Sequence, residues 1–167
     1  EGDVFISGSD ITNLNGLEVV TSISGSLLIT LNPALTSLTG LDNLASVGWY
    51  FEIHFNDALT SLTGLENLDS IGGHLDVFLN PALTSLTGLE GLTFCRDYLN
   101  IYGNPSLTSI TALQNLTSID FLTIDSNSSL TSLMGLDNVT NIESYLIING
   151  NSSLSSLAGL DNLGSIG

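Results

Sequence analysis

Glu52, His54, His74 and Asp76 are the side chains best equipped for chemistry. The two carboxylates are 24 residues apart, with His54 two residues after the first and His74 two residues before the second. Carboxylates held side by side can share a proton or a divalent ion. Imidazole adds a group that titrates near neutral pH and ligates metals. None of this chemistry is available unless residues 24 apart in the chain become neighbours in space.

The elements that would bring them together are written into the chain as a repeat. Leu35, Leu59, Leu83 and Leu107 recur at intervals of 24 within nearly one phrase: NPALTSLTGL at 32–41, NDALTSLTGL at 56–65, NPALTSLTGL at 80–89 and NPSLTSITAL at 104–113. It continues as NSSLTSLMGL at 127–136 and NSSLSSLAGL at 151–160, and a degenerate copy ends at Leu17 with Ile11 in register. The steps from Ile11 are 24, 24, 24, 24, 23 and 24, which gives seven copies and one single-residue slip. A fixed period of this size marks stacked units, none of which buries its apolar edge alone.

One unit illustrates the coil. In His74-Leu75-Asp76-Val77-Phe78, Leu75 and Val77 alternate with polar and aromatic neighbours, as in a half-buried strand. The inward pair recurs as Leu27/Ile29, Phe51/Ile53, Leu99/Ile101, Leu122/Ile124 and Leu146/Ile148. An asparagine follows each strand (Asn32, Asn56, Asn80, Asn104, Asn127, Asn151), suited to bonding the backbone of a corner and to forming a ladder between coils. Leucines then recur every third residue, as at Leu83, Leu86, Leu89 and Leu92, which fits a chain winding through short turns. Ser70-Ile71-Gly72-Gly73 reads as a tight return with the isoleucine inward, and Cys95, in the same column, reads as a small buried hydrophobe.

Stacked this way, the outward strand positions become three columns. The first holds Ser26, Tyr50, His74, Tyr98, Phe121 and Tyr145; the middle one Leu28, Glu52, Asp76, Asn100, Thr123 and Ile147; the third Thr30, His54, Phe78, Tyr102, Asp125 and Asn149. Neighbouring strands lie about 4.8 Å apart, so Glu52 and Asp76 pair laterally. The histidines occupy columns four residues apart, roughly 13 Å along a strand, so they are not expected to share one metal. A flat sheet face offers no water-excluding pocket, and no nucleophile-elbow, phosphate-loop or zinc spacing occurs. The expectation is a non-enzyme with no cofactor and, at most, weak cation (Ca²⁺) association at Glu52 and Asp76. The aromatic stripe, with Phe78 and Tyr102 beside it, suits a protein or sugar partner, or else lies against another copy of the chain.

Two further ladders need accounting. Glu18, Asp42, Glu66, Glu90, Gln114, Asp137 and Asp161 follow each glycine-leucine and are expected to cap the short turn, with Asn43, Asn67, Asn115, Asn138 and Asn162 helping. Threonine and serine rows from Thr36 and Ser37 onward resemble the regular hydroxyl faces of ice-binding solenoids, a minor alternative. Sequons stand at Asn115, Asn127, Asn138 and Asn151, two of them in the corner ladder.

Composition narrows the partners. Asp plus Glu number 17 against the single Arg96, a net charge of −16. Nucleic acid and anionic membranes need cationic patches, so neither is expected as a partner. No apolar run approaches the roughly 20 residues that cross a bilayer. Cys95 has no intrachain partner.

The pattern I-x-x-x-L-x-I-x-x-N-x-x-L-x-x-L-x-x-L-x-x-L resembles leucine-rich repeats. The run Leu68–Val77, an N-L-x-x-I-x-G-like turn leading into a G-x-L-x-I-like strand, is closest to the receptor L-domain type. That resemblance covers nearly the whole chain. It implies a β-rich, right-handed solenoid of seven coils with one parallel sheet of Leu-x-Ile strands, usually extracellular or at the cell surface, used for binding or as a wall component. Residues 1–167 read as one repeat domain, excerpted from a longer array or larger protein because the last coil is incomplete. The expected function is a recognition module whose face comprises Tyr50, Glu52, His54, His74, Asp76, Phe78, Tyr98, Tyr102, Phe121 and Tyr145. The alternative is a subunit that self-assembles into a surface layer or filament.

Overall fold

In the computed structural model, which describes residues 2–167, every coil adds one strand to a continuous parallel sheet. The strands are β1 (Val4–Ile6), β2 (Ser22–Ile23), β3 (Leu27–Thr30), β4 (Ser46–Val47), β5 (Phe51–His54), β6 (Ser70–Ile71), β7 (Leu75–Phe78), β8 (Phe94–Cys95), β9 (Tyr98–Tyr102), β10 (Ser118–Asp125), β11 (Asn141–Asn149) and β12 (Ser165–Ile166). The main sheet runs β1-β3-β5-β7-β9-β10-β11-β12. The solenoid of about seven coils is nearly all β; the one helical element among the described residues is a short 3₁₀ turn at Thr111–Leu113.

The return segment departs from expectation. Ser70 and Ile71 pair with Ser46 and Val47 on one side and with Phe94 and Cys95 on the other, so a second parallel sheet, β2-β4-β6-β8, lines this corner. Extended backbone repeated every coil finds its hydrogen-bond partners one coil away, which a turn reading of the glycines missed. The single-residue slip explains where this sheet stops. Ser118-Ile119-Asp120-Phe121 has one residue fewer than Phe94-Cys95-Arg96-Asp97-Tyr98, and the shortened corner straightens. The two strands of that coil fuse into β10, and a register shift between Ile119 and Phe121 takes up the difference against β11.

The core is a column stack. Leu75 and Val77 are fully buried, as are Leu83, Leu89 and Leu92, with Leu86 almost so, and the equivalents of all six are buried in the coils on either side. The period-three leucines step through turns in which each amide reaches back three residues, as in Leu41 N–H to Leu38 C=O at 3.1 Å and Leu44 N–H to Leu41 C=O at 2.8 Å. Gly64, at φ 110°, permits this path: a Cβ there would collide with the Leu38 carbonyl one coil below. Asn32, Asn56, Asn80, Asn104 and Asn127 are fully buried. The Asn80 side chain accepts from Asn56 N–H at 3.1 Å and donates to the Ile53 carbonyl at 2.9 Å and the Phe78 carbonyl at 3.1 Å. Asn56, Asn80 and Asn104 thus each satisfy the corner backbone of two coils.

Candidate functional site

The register places the site residues side by side. Leu28, Glu52, Asp76 and Asn100 are successive partners across β3, β5, β7 and β9, and Thr30, His54, Phe78 and Tyr102 form the next column. Parallel in-register pairing is what converts a 24-residue period into side-chain contact.

Two aromatic stacks result. Tyr50 lies 5.0 Å from His74 with ring planes 4° apart, and His74 lies 4.3 Å from Tyr98 at 7°. In the third column His54 stacks on Phe78 at 4.3 Å, and Phe78 on Tyr102 at 4.6 Å. Farther along, Phe121 and Tyr145 meet edge to face at 4.6 Å. The middle rings have both faces covered and present their edges outward.

Between the stacks lies the polar cluster. His54 Nε2 is 3.5 Å from Glu52 Oε2, His74 Nε2 is 3.5 Å from Glu52 Oε1, and His74 Nε2 is 3.9 Å from Asp76 Oδ2. Strand spacing separates the histidine backbones, yet both imidazoles lean toward the middle column and touch one carboxylate. Thr30 Oγ1 is 3.0 Å from His54 Nδ1 and fixes that ring from its far side.

The cluster is half-buried, and burial dominates its electrostatics. It raises the Asp76 pKa above the ordinary carboxylate value, reinforced by the Glu52 charge and opposed by Asn100 and the two histidines. Burial likewise lowers the His54 pKa, outweighing the attraction of Glu52 and Asp76. Tyr98 is pushed up to about 12, by burial first and then by Asp76, Glu52 and Asp97. Asp76 Oδ1 is buried without a hydrogen-bond partner. The adjoining hollow, about 300 Å³ and open to solvent, is lined by Trp49, Tyr50, His74, Arg96 and Asp97 with three glycines.

A neighbouring row escaped sequence reading. Leu31, Phe55 and Leu79, just past the third column, sit at φ 59°, 55° and 53°, a conformation strained for bulky residues. Gly103 (φ 66°) and Gly150 (φ 65°) occupy the same corner in later coils, and those glycines were the available signal. The three apolar side chains are 60%, 42% and 40% exposed. Phe55 meets His54 edge-on at 5.1 Å and Phe78 at 6.0 Å, joining this row to the aromatic stack.

The other ladders bond the backbone of their own turn or of the coil before. Glu66 accepts from Gly64 N–H at 2.9 Å and Asp42 from Gly40 N–H at 2.7 Å, while Asn67 Nδ2 donates to the Asp42 carbonyl one coil back at 2.6 Å. Thr84 and Thr108 hydroxyls donate to the carbonyls of Thr60 and Thr84 at 3.1 Å. Cys95 is buried, and burial pushes its thiol up to about 12, beyond ordinary nucleophile range. The sequon asparagine Asn127 is fully buried in the corner ladder.

Compared with models of protein families, with curated proteins and with solved structures, the chain shows no match.

Proposed function

We propose that this solenoid is a non-enzymatic recognition module, of the leucine-rich, receptor L-domain type of repeat, and that it binds a protein through the face built by Tyr50, His74, Tyr98, His54, Phe78 and Tyr102. The observation carrying this reading is the row Leu31, Phe55 and Leu79. Large apolar side chains are held in a strained backbone conformation that glycine (Gly103, Gly150) or a small serine (Ser126) adopts in later coils, and they project into solvent beside the aromatic stacks. Backbone strain kept to hold partly exposed apolar side chains on a surface favours a functional reading. Apolar anchors around ordered aromatics match the centre of a protein interface.

Ring geometry favours a protein over a glycan. Sugars stack on free ring faces, whereas both faces of His74 and of Phe78 are covered by their neighbours. A partner meets ring edges and apolar tips instead. The acidic middle column and the net charge of −16 suit a basic partner surface. Placement outside the cell rests on the repeat resemblance and the two sequons outside the corner ladder, Asn115 and Asn138.

Peptide display tests this reading. Ligands selected on the intact protein are expected to lose at least about tenfold affinity on Leu79→Gly or Phe55→Gly, the size of a modest interface anchor. Selected ligands that bind both variants as tightly as the parent would refute it. A stable dimer in sedimentation that these same variants dissolve would instead favour the self-assembling reading.

A further inference from the structure

We propose that Glu52, His74 and Asp76 form a binding site for a divalent first-row transition ion of the zinc type, one oxygen or nitrogen from each residue serving as ligand and water completing the coordination. This goes beyond a weak calcium association between two carboxylates, because the imidazole changes which metal fits. The site shares His74 with the face inferred above, but ion binding to the isolated chain requires no partner.

Geometry carries the argument. The three ligand atoms all lie within 4.8 Å of one another. His74 Nε2 stands 3.5 Å from Glu52 Oε1 and 3.9 Å from Asp76 Oδ2, longer than good hydrogen bonds. A tetrahedral ion with bonds of about 2.0–2.1 Å separates its ligands by about 3.3–3.4 Å. The two edges from His74 therefore need only small side-chain adjustments, while the Glu52–Asp76 edge, within 4.8 Å, closes on the ion by side-chain rotation. A nitrogen with two carboxylate oxygens matches zinc and its neighbours, whereas calcium takes six to eight oxygens.

The surroundings hold the ligands in place. His74 is clamped between Tyr50 and Tyr98, which fixes its ring plane and aims Nε2 at the carboxylates. Glu52 Oε2 is engaged by His54, itself tied to Thr30, so Oε1 remains for the ion. A second carboxylate-bound imidazole of this sort orients a metal ligand from behind. Charge completes the case. Two carboxylates share a half-buried cluster with no lysine or arginine among their ion-pair partners, and Asp76 Oδ1 has no hydrogen-bond donor.

The test is titration calorimetry of the intact chain with Zn²⁺, after dialysis against a chelator, with Ca²⁺ as a parallel arm. Saturable one-to-one Zn²⁺ binding is expected, abolished by His74→Phe, which keeps the stacked ring. Asp76→Asn, nearly isosteric, should abolish it as well, and His54→Phe should weaken it about tenfold through lost orientation of Glu52. Melting curves establish that the variants are folded. Co²⁺ should give the intense visible bands of a tetrahedral site in the parent and lose them in His74→Phe. Absence of Zn²⁺ binding, Zn²⁺ affinity unchanged by His74→Phe, or Ca²⁺ bound as tightly as Zn²⁺ would each overturn the proposal.

Discussion

His74 lies flat against Tyr98, ring centroids 4.3 Å apart and planes 7° from parallel, although 24 residues separate them in the chain. The contact is a direct product of in-register parallel pairing. It links a sequence period to a surface on which titratable, aromatic and apolar groups meet.

Removing that ring should be felt on both sides. His74→Ala deletes two stacking contacts and is expected to destabilise the fold by about 1–2 kcal/mol, at the scale of aromatic pairs. His74→Phe should change stability by under about 0.5 kcal/mol, since it preserves both stacks. Urea unfolding midpoints with constant slope would measure the difference.

Two groups of the cluster respond to pH with opposite signs. The folded-state pKa of His54 is lowered, so the native state resists a proton that the unfolded chain accepts. Stability is expected to fall as pH drops through the ordinary value of 6.5 toward the folded one, and His54→Phe should remove that slope. The pKa of Asp76 is raised, so its ionised form burdens the native state once pH exceeds its folded value. Asp76→Asn should therefore be more stable than the parent at pH 7 without metal, and the gap should close as pH falls toward 3.8. Unfolding titrations across pH, in chelator, read both effects.

The left-handed corner separates stability from recognition. Leu79→Gly relieves φ 53° strain while loosening the unfolded chain, two effects of about 1 kcal/mol that nearly cancel, and gives up the packing of a side chain 40% exposed. Its stability should fall by about 1 kcal/mol, the remaining burial of the leucine. Gly103→Leu should destabilise by at least about 1 kcal/mol, because it adds that strain and its Cβ meets Leu79 Cδ2 at 3.0 Å. Thermal unfolding of the two variants gives the comparison.

The corner ladder should be the most sensitive polar element. Asn80→Ala strands the Asn56 amide and the Ile53 and Phe78 carbonyls in a fully buried site. A loss of about 3 kcal/mol or more is expected from several unsatisfied groups. A loss below 1 kcal/mol in chemical denaturation would show that the ladder does not hold the coils together.

Leucine spacing and strand alternation made Leu75, Val77 and Asn80 legible as core, and the period alone placed Glu52 beside Asp76. What it left out depends on side-chain direction. The convergence of both imidazoles on Glu52 follows from rotamers that a column listing does not contain. The second sheet was hidden because Ser70-Ile71-Gly72-Gly73 has turn composition, and only stacking supplies its extended backbone with partners. Leu31, Phe55 and Leu79 read as ordinary apolar residues until Gly103 and Gly150 are set in the same register.

Ring-proton nuclear Overhauser effects at His74 probe the shared register most directly. The ladder requires cross-peaks from its imidazole protons to the ring protons of both Tyr50 and Tyr98, which flank it at 5.0 and 4.3 Å between centroids. An imidazole that shows neither set, with its tyrosines resonating as free side chains, would contradict the stacking from which the binding face and the metal site are both built.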